Sequence, residues 1–348
     1  GLAYQPHLQS VHRDVGNMLE AGDLVLSLGA GNIHEQLEIL AADLVVAEKL
    51  RPIVGEEGEV RLYEALSNHT DAAGWRSRTQ FWVEPRTEKA FAELIRFCRN
   101  EHLPLFIIGR GSNLLVRDGG IRGVGSFIPG AGDFEKIQVD GCEDYRRRGC
   151  KVETGGLRRA CGKSRRTRMD GGNSGHRRRR IAHECRSEWV RKLSRTSRVF
   201  GILTPKEIRN VKNRDELEVF YRRFPLLEKN FAISATFCGQ PAERAQIDTR
   251  LRESQEKRRT TQPVAKSAGC IFKNPATIPA GKLVDELGLK NARVGNARVS
   301  RVHGNFIVND GAATAAEVLE LIDVIKSAAR KKRGIELETE VEIVGEAE

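Results

Sequence analysis

The segment IIGRGSNLLVRDGGIRG, residues 107–123, indicates which kind of fold surrounds it. Its pattern predicts an apolar strand, a glycine turn, a second apolar strand and another glycine turn. This connection is too short for the helix that joins neighbouring parallel strands in a dinucleotide-binding fold. We therefore expect β-rich structure with tight turns rather than a Rossmann unit.

The first turn of this segment is a candidate phosphate site. Gly109 and Gly111 let the backbone approach a ligand closely, and successive N–H groups can hold a pyrophosphate. Ser112 and Asn113 add side-chain donors. A simple hairpin turn is the alternative interpretation, because short glycine motifs are weak signals.

Helix and strand patterns alternate along the rest of the chain. Residues 87–100 form an amphipathic pattern, with Phe91, Leu94, Ile95 and Cys98 at helical spacing. Further predicted elements are a buried strand Leu24–Leu28, a strand FAISATF, a charged helix Ala242–Thr260, a helix Thr314–Arg330 capped by Thr314, and a final strand ELETEVEIVG. The predicted fold class is α+β.

The charge of the chain is concentrated in one window. The 348 residues carry a formal net charge of +11, with hydrophobic residues at 39%. Between Tyr145 and Phe200, 16 Arg and 3 Lys stand against 4 acidic residues, a net charge of +15, so the remainder carries −4. Clustered arginine favours salt-dependent binding to phosphates, and a basic nucleic-acid-binding protein is one alternative function. The window holds one Trp and one Tyr, too few aromatics to predict stacking on bases.

The cysteine pattern favours a reducing compartment. The seven cysteines form no CxxC pair and no zinc spacing, and an odd count argues against a complete disulfide framework. No signal peptide and no apolar run of membrane length is present. We expect a cytoplasmic protein without a bound metal.

The segment SAGCIFKNP, residues 267–275, is the second candidate for chemistry. Cys270 lies between a glycine and an apolar pair, with Lys273 and Asn274 following. A buried structural cysteine is the alternative, and it is the commoner fate of a lone cysteine.

Taken together and in order, several segments resemble UDP-N-acetylenolpyruvoylglucosamine reductases, the MurB family. The matching segments are QFWVEPRTEKAF, IIGRGSNLLVRDGGIRG, FYRRFPLL, SAGCIFKNPATIPAGKLVDELGLK, VSRVHGNFIVN, ATAAEVLELI and GIELETEVEIVG. The resemblance implies an FAD-binding domain of the PCMH/VAO type over 61–240 and a MurB-type substrate-binding domain over 241–348. Residues 1–50 resemble the C-terminal tail of UDP-N-acetylmuramate–L-alanine ligase (MurC), and 51–60 are predicted to be a linker.

The resemblance also implies an activity. NADPH reduces FAD, hydride passes to the enolpyruvyl double bond of a UDP sugar, and a protein acid protonates the adjacent carbon, which yields UDP-N-acetylmuramate for peptidoglycan. The implied partners are the UDP sugar and NADPH, with no specific nucleic acid and no membrane, and the chain is expected to be a monomer. Another flavin oxidase of the same fold is a further alternative.

The family's functional positions carry over residue by residue. Cys270 matches the proton donor, where many members have serine, while Arg222 and Glu340 match residues that polarise the substrate and stabilise the intermediate. A thiol is mostly protonated at neutral pH yet releases its proton far more readily than an alcohol. The implied cofactor-binding residues are Gly109, Arg110, Gly111, Ser112, Asn113 and Leu114. The implied substrate-binding residues are Tyr221, Lys273 and Asn274.

The basic window occupies the place of a family segment such as EGIPGTVGGALRMNAGA, which this chain lacks. Codons for MDGGNSGHRRRRIAHE, residues 169–184, permit WMEGIPGTVGGALRMN when they are read from the second base, with Arg177–Arg180 giving Val-Gly-Gly-Ala. The same shift permits VGGPA from AGWRSRT, residues 73–79. We infer that about 70–79 and 145–200 are read out of frame. Because both segments belong to the flavin-binding half, the chain as written is predicted to bind FAD weakly or not at all.

Overall fold

The computed structural model describes most of the chain outside the basic window. The described residues are 8–20, 22–28, 32–66, 77–108, 111, 113–127, 132–135, 137–140, 150–154, 197–203, 210–213, 225, 230–239 and 243–347. The helices are α1 Val11–Met18, α2 Ile33–Val54, α3 Glu88–Asn100, α4 Arg244–Thr261, α5 Ala280–Glu286 and α6 Ala315–Arg333. The strands are β1 Glu59–Ala65, β2 Arg78–Glu84, β3 Leu105–Ile108, β4 Leu114–Val116, β5 Ile121–Phe127, β6 Ile137–Asp140, β7 Cys150–Thr154, β8 Ser197–Leu203, β9 Asn210–Asn213, β10 Phe231–Gly239, β11 Ser267–Cys270, β12 Arg293–Val294, β13 Ala297–Val299, β14 Phe306–Asn309 and β15 Glu342–Val344.

The first sheet has the strand order β1-β2-β5-β3. Strands β2, β5 and β3 run parallel, whereas β1 is antiparallel to β2. Helix α3 connects β2 to β3 and buries Phe91, Leu94, Ile95 and Cys98, which confirms the amphipathic pattern. Thr87 caps its first turn by accepting a hydrogen bond from the Ala90 N–H over 3.1 Å. The carboxyl ends of the parallel strands therefore lie at one edge of the sheet, next to the glycine turn that follows β3.

The second sheet is antiparallel, with the order β6-β7-β10-β8-β9. Its central strand β10 contains FAISATF, so the alternating pattern of that segment predicted a strand correctly. Strand β7 and the start of β8 fall within residues 145–200. The remaining residues of that window, 145–149 and 155–196, lie outside the described part of the chain.

The C-terminal domain packs α5 and α6 on a sheet with the order β11-β14-β13-β12. Thr314 and Glu317 form a capping box at the start of α6, which confirms Thr314 as the N-cap. Gly334 ends α6 in the left-handed conformation, with φ +63°. Asp118, from the VRDGG turn before β5, accepts hydrogen bonds from Ala315 N–H (2.8 Å) and Ala316 N–H (2.9 Å). The first turn of α6 is thus joined to the turn that precedes β5.

The N-terminal segment differs from its prediction in two respects. Leu24, Leu26 and Leu28 are 82%, 73% and 93% exposed and lie outside any strand, so the predicted buried strand is wrong. Its apolar run finds no neighbouring strand among the described residues to pair with. The predicted linker 51–60 is also wrong in part, because α2 continues to Val54 and β1 begins at Glu59. Burial of Leu50 and Val54 against the first sheet explains why the helix continues.

A buried polar network fixes this N-terminal segment to the first sheet. The Tyr63 hydroxyl and the Gln80 amide both donate to the Asp43 carboxylate of α2, the latter over 2.7 Å. Gln80 in turn accepts from the Gly123 N–H over 2.7 Å. Burial, reinforced by the bond to Asp43, raises the pKa of Tyr63. Helix α2 therefore belongs to the core that packs against the first sheet.

Among the described residues, no helix has the length and apolar character that crossing a membrane requires. The same residues contain no cluster of three or more His, Cys, Asp or Glu side chains that could hold a metal ion.

Candidate functional site

Cys270 ends the short strand β11, opposite Phe306 of β14. The strand carries a bulge between Ser267 and Cys270, and Gly269 has φ +77°, a conformation that favours glycine. The bulge turns the chain so that Cys270 is partly exposed and its thiol is free. Cys98 contrasts with it, because burial in the core raises the pKa of that thiol to about 12. Of these two thiols, Cys270 is therefore the more accessible.

Glu340 lies beside the residue that follows Cys270. Its N–H donates to the Ile271 carbonyl over 2.7 Å, and a β-bridge pairs Phe272 with Thr339. Glu340 is only 5% exposed, which is unusual for a carboxylate. The structure therefore brings two predicted catalytic residues, Cys270 and Glu340, onto adjacent segments.

Asn113 connects the glycine loop to the same place. Its side-chain Nδ2 donates to the Glu340 carbonyl over 3.0 Å, and its own carbonyl accepts from the Glu342 N–H over 3.0 Å. Strand β4 then continues this contact as a parallel pair with β15. The predicted cofactor loop and the predicted acid segment thus share one hydrogen-bonded network.

The rest of the predicted cofactor loop is only partly described. Gly111 has φ +71° and accepts from the Leu114 N–H over 3.1 Å, so a tight turn is present. The Leu114 side chain is buried in a core cluster with Trp82 and Ile108. Gly109, Arg110 and Ser112 lie outside the described residues, as do Tyr221 and Arg222.

Lys273 and Asn274 have structural partners. The Lys273 ammonium pairs with the Glu338 carboxylate over 2.7 Å, although both side chains are substantially exposed, so the pair adds little stability. The Asn274 Oδ1 accepts from the Ala280 N–H over 3.0 Å at the start of α5. That oxygen is therefore used by the helix, which leaves the Asn274 amide nitrogen as the group predicted to meet substrate.

Buried polar atoms without a hydrogen-bond partner in the described part of the chain mark the carboxyl edge of the first sheet. They include Arg86 Nε after β2, Ser126 Oγ near the end of β5 and Asn113 Oδ1 in the loop after β3. Leaving such a group unsatisfied costs about 1–3 kcal/mol. These two donors and one acceptor, beside the left-handed turn at Gly111, suit a polar, phosphate-bearing ligand.

Sequence analysis missed two residues that organise this region. Asn305 is buried and bonds the main chain of Phe272, and Asp118 caps α6 from the turn before β5. Neither stands out in sequence, because each is a polar residue in a glycine-containing turn. The N–H of Asn305 bonds the ring nitrogen Nδ1 of His303 over 3.1 Å. Burial, with the nearby charge of Lys290, lowers the pKa of His303.

The chain is similar in sequence to a known enzyme family. Residues 261–344 match the family model for the UDP-N-acetylenolpyruvoylglucosamine reductase C-terminal domain. UDP-N-acetylenolpyruvoylglucosamine reductase 2 of Symbiobacterium thermophilum is 34% identical over 317 residues, which cover 86% of this chain and 97% of that protein. The corresponding reductase of Syntrophus aciditrophicus is 34% identical over 324 residues, covering 87% and 97%.

A solved structure extends the similarity to the fold. The crystal structure of MurB from Thermus caldophilus is 25% identical, with a TM-score of 0.61, and the match covers 82% of this chain and 98% of that one. These findings define an oxidoreductase. The chain belongs to the UDP-N-acetylenolpyruvoylglucosamine reductase family. The predicted α+β fold class with its MurB-type C-terminal domain is confirmed.

Proposed function

We propose that the chain is built to reduce UDP-N-acetylenolpyruvoylglucosamine to UDP-N-acetylmuramate with NADPH and FAD, in peptidoglycan precursor synthesis. The observation that carries the proposal is the hydrogen-bonded path from Asn113 through Glu340 to Ile271. This path links the proposed cofactor loop to the main chain of the buried Glu340 and to the residue that follows Cys270, which supports the proposal. The reaction is proposed from family membership, and the active site is proposed to lie along this path.

The described residues fit FAD at the carboxyl edge of the first sheet. The buried atoms Arg86 Nε, Ser126 Oγ and Asn113 Oδ1 offer hydrogen bonds, and the turn at Gly111 allows close approach of a phosphate. When bound, FAD supplies hydride transfer from NADPH to the enolpyruvyl carbon. Gly109, Arg110, Ser112 and Leu114 complete the proposed cofactor loop.

Cys270 is the proposed proton donor. The reduction adds a hydride and a proton across one carbon–carbon double bond, and the thiol gives its proton to the carbon that does not receive hydride. The resulting thiolate regains a proton from solvent, which its partial exposure permits. Glu340 and Arg222 are proposed to polarise the substrate carboxylate, while Tyr221, Lys273 and Asn274 bind the UDP sugar.

The experiment that tests this function is NADPH oxidation by a flavin-loaded, frame-restored chain, in which residues 70–79 and 145–200 follow the shifted reading frame. Oxidation should depend on the enolpyruvyl UDP sugar and yield one UDP-N-acetylmuramate for each NADPH. Consumption of NADPH without the sugar, with dioxygen as acceptor, would instead assign the chain to the flavin oxidases.

A further inference from the structure

The Asn305 side chain forms with the segment after Cys270 the hydrogen bonds that a neighbouring strand would form. The side chain is 3% exposed and lies just before β14. The Phe272 N–H donates to Asn305 Oδ1 over 2.8 Å, and Asn305 Nδ2 donates to the Phe272 carbonyl over 2.8 Å. One amide side chain therefore satisfies both main-chain groups of Phe272, as a paired strand would.

The main chain of Asn305 also bonds Ile271, the residue next to Cys270 in the candidate active site. Its carbonyl accepts from the Ile271 N–H over 2.9 Å. The Ile271 carbonyl, on the opposite edge, accepts from the Glu340 N–H over 2.7 Å and the Val341 N–H over 3.3 Å. Residues 271 and 272 are thus fixed between Asn305 and the segment that contains Glu340.

We propose that Asn305 is a positioning residue that sets the Cys270 thiol relative to Glu340. This inference rests on the proposed function, because it gives Cys270 the role of proton donor. Asn305 acts through the main chain of Ile271 and Phe272, the residues directly after Cys270. Proton transfer needs the donor within hydrogen-bond reach of the reacting carbon, and a displacement of about 1 Å can cost on the order of 100-fold in rate.

The two bonds to Phe272 require one acceptor and one N–H donor, and an asparagine side chain provides both. Aspartate has the same shape but no N–H, so it would set a carboxylate oxygen against the Phe272 carbonyl. Alanine would leave the N–H and the carbonyl of Phe272 both buried without partners. Asn305 is itself fixed, since its N–H bonds His303 Nδ1 and the His303 ring meets the Phe306 ring edge-on at 5.0 Å between centroids.

The first test uses the chain as it exists and needs no flavin. The rate of alkylation of Cys270 by iodoacetamide is measured peptide by peptide with mass spectrometry, with buried Cys98 as the internal reference. Asn305→Asp and Asn305→Ala should raise the Cys270 rate by about 10-fold or more by loosening its anchor, and leave Cys98 unchanged. Asn309→Ala is the matched control, since Asn309 Oδ1 bonds the N–H groups of Gly311 (2.9 Å) and Ala313 (3.0 Å) instead. An equal rise in the control, or in Cys98, would overturn the proposal.

The second test distinguishes a positioning role of Asn305 in catalysis from a contribution to stability alone. In the flavin-loaded, frame-restored chain, Asn305→Asp should leave flavin reduction by NADPH within about twofold but lower kcat roughly 10- to 100-fold at similar KM for the sugar. Unchanged kcat beside a faster Cys270 alkylation would overturn the positioning role. If the unsubstituted frame-restored chain reduces no sugar, the proposed function fails, while the alkylation rates still decide whether Asn305 anchors Cys270.

Discussion

Asn113 and Glu340 are 227 positions apart in sequence, yet the Asn113 amide donates to the Glu340 carbonyl over 3.0 Å. The contact joins the glycine loop after β3 to the final segment of the chain. It continues into the parallel pairing of β4 with β15, the last strand of the chain. The candidate site therefore forms only when the loop after β3 and the C-terminal segment of the chain come together in the folded protein.

Substitution of Asn113 should weaken this connection measurably. Asn113→Ala leaves the Glu340 carbonyl without its donor, and we expect the free energy of unfolding to fall by about 1–3 kcal/mol. Urea denaturation measures the change. Asn100→Ala, at the exposed end of α3, is the control and should change stability by less than about 0.5 kcal/mol. Equal losses in the two variants would show that the contact contributes nothing specific.

Asp118 should stabilise α6 from outside its own domain. Both carboxylate oxygens accept from N–H groups of the first turn, where a negative charge also interacts favourably with the helix dipole. Asp118→Ala is expected to cost about 0.5–2 kcal/mol of unfolding free energy, and Asp118→Asn less than that. The comparison variant is Asp323→Ala, an exposed position inside α6. The prediction is wrong if Asp323→Ala costs as much in the same denaturation experiment.

His303 should make the protein sensitive to mild acid. Burial and the charge of Lys290 lower the pKa of His303, so the unfolded chain binds the proton first. Its contribution to stability is complete above the unfolded pKa of about 6.5 and is lost as the pH falls from there through the lower folded value. His303→Asn, which keeps an acceptor for the Asn305 N–H, should reduce this loss of stability. Exposed His34→Asn should retain the full loss, and identical pH profiles for the two variants would contradict the assignment.

The out-of-frame hypothesis makes a prediction about DNA and about flavin. The codons of Arg177–Arg180, read from the second base, should spell Val-Gly-Gly-Ala. A frame-restored chain, in which residues 70–79 and 145–200 follow the shifted frame, should then purify with stoichiometric flavin absorbance. The chain as written should purify with little or none. Stoichiometric flavin in the chain as written would refute the predicted loss of binding.

Sequence patterns correctly predicted the elements that local spacing and local hydrogen bonds determine. Examples are the buried apolar face of α3 and the N-cap at Thr314. The roles of Cys270 and Glu340 came from resemblance and stay predictions, although a main-chain bond joins Glu340 to Ile271, the residue after Cys270. Long-range pairing of this type leaves no periodic signal in a single sequence.

The failures of prediction have the same physical origin. Leu24, Leu26 and Leu28 alternate as a buried strand would, but burial requires a partner surface, and in this structure they are exposed. Pro52 and the nearby glycines suggested a linker, yet packing of Leu50 and Val54 against the first sheet keeps residues 51–54 helical. Asn305 gave no signal because its role depends entirely on a segment more than thirty positions away.

The most direct test of the account is the reoxidation of reduced flavin by the enolpyruvyl UDP sugar. It is followed by flavin absorbance in rapid mixing without dioxygen, in the frame-restored chain and its Cys270→Ala variant. We predict that NADPH reduces the flavin of both at similar rates, and that the sugar reoxidises it rapidly only when Cys270 is present, with Cys270→Ser intermediate. Equally fast reoxidation in Cys270→Ala, or no reoxidation in the unsubstituted frame-restored chain, would contradict the proposed centre.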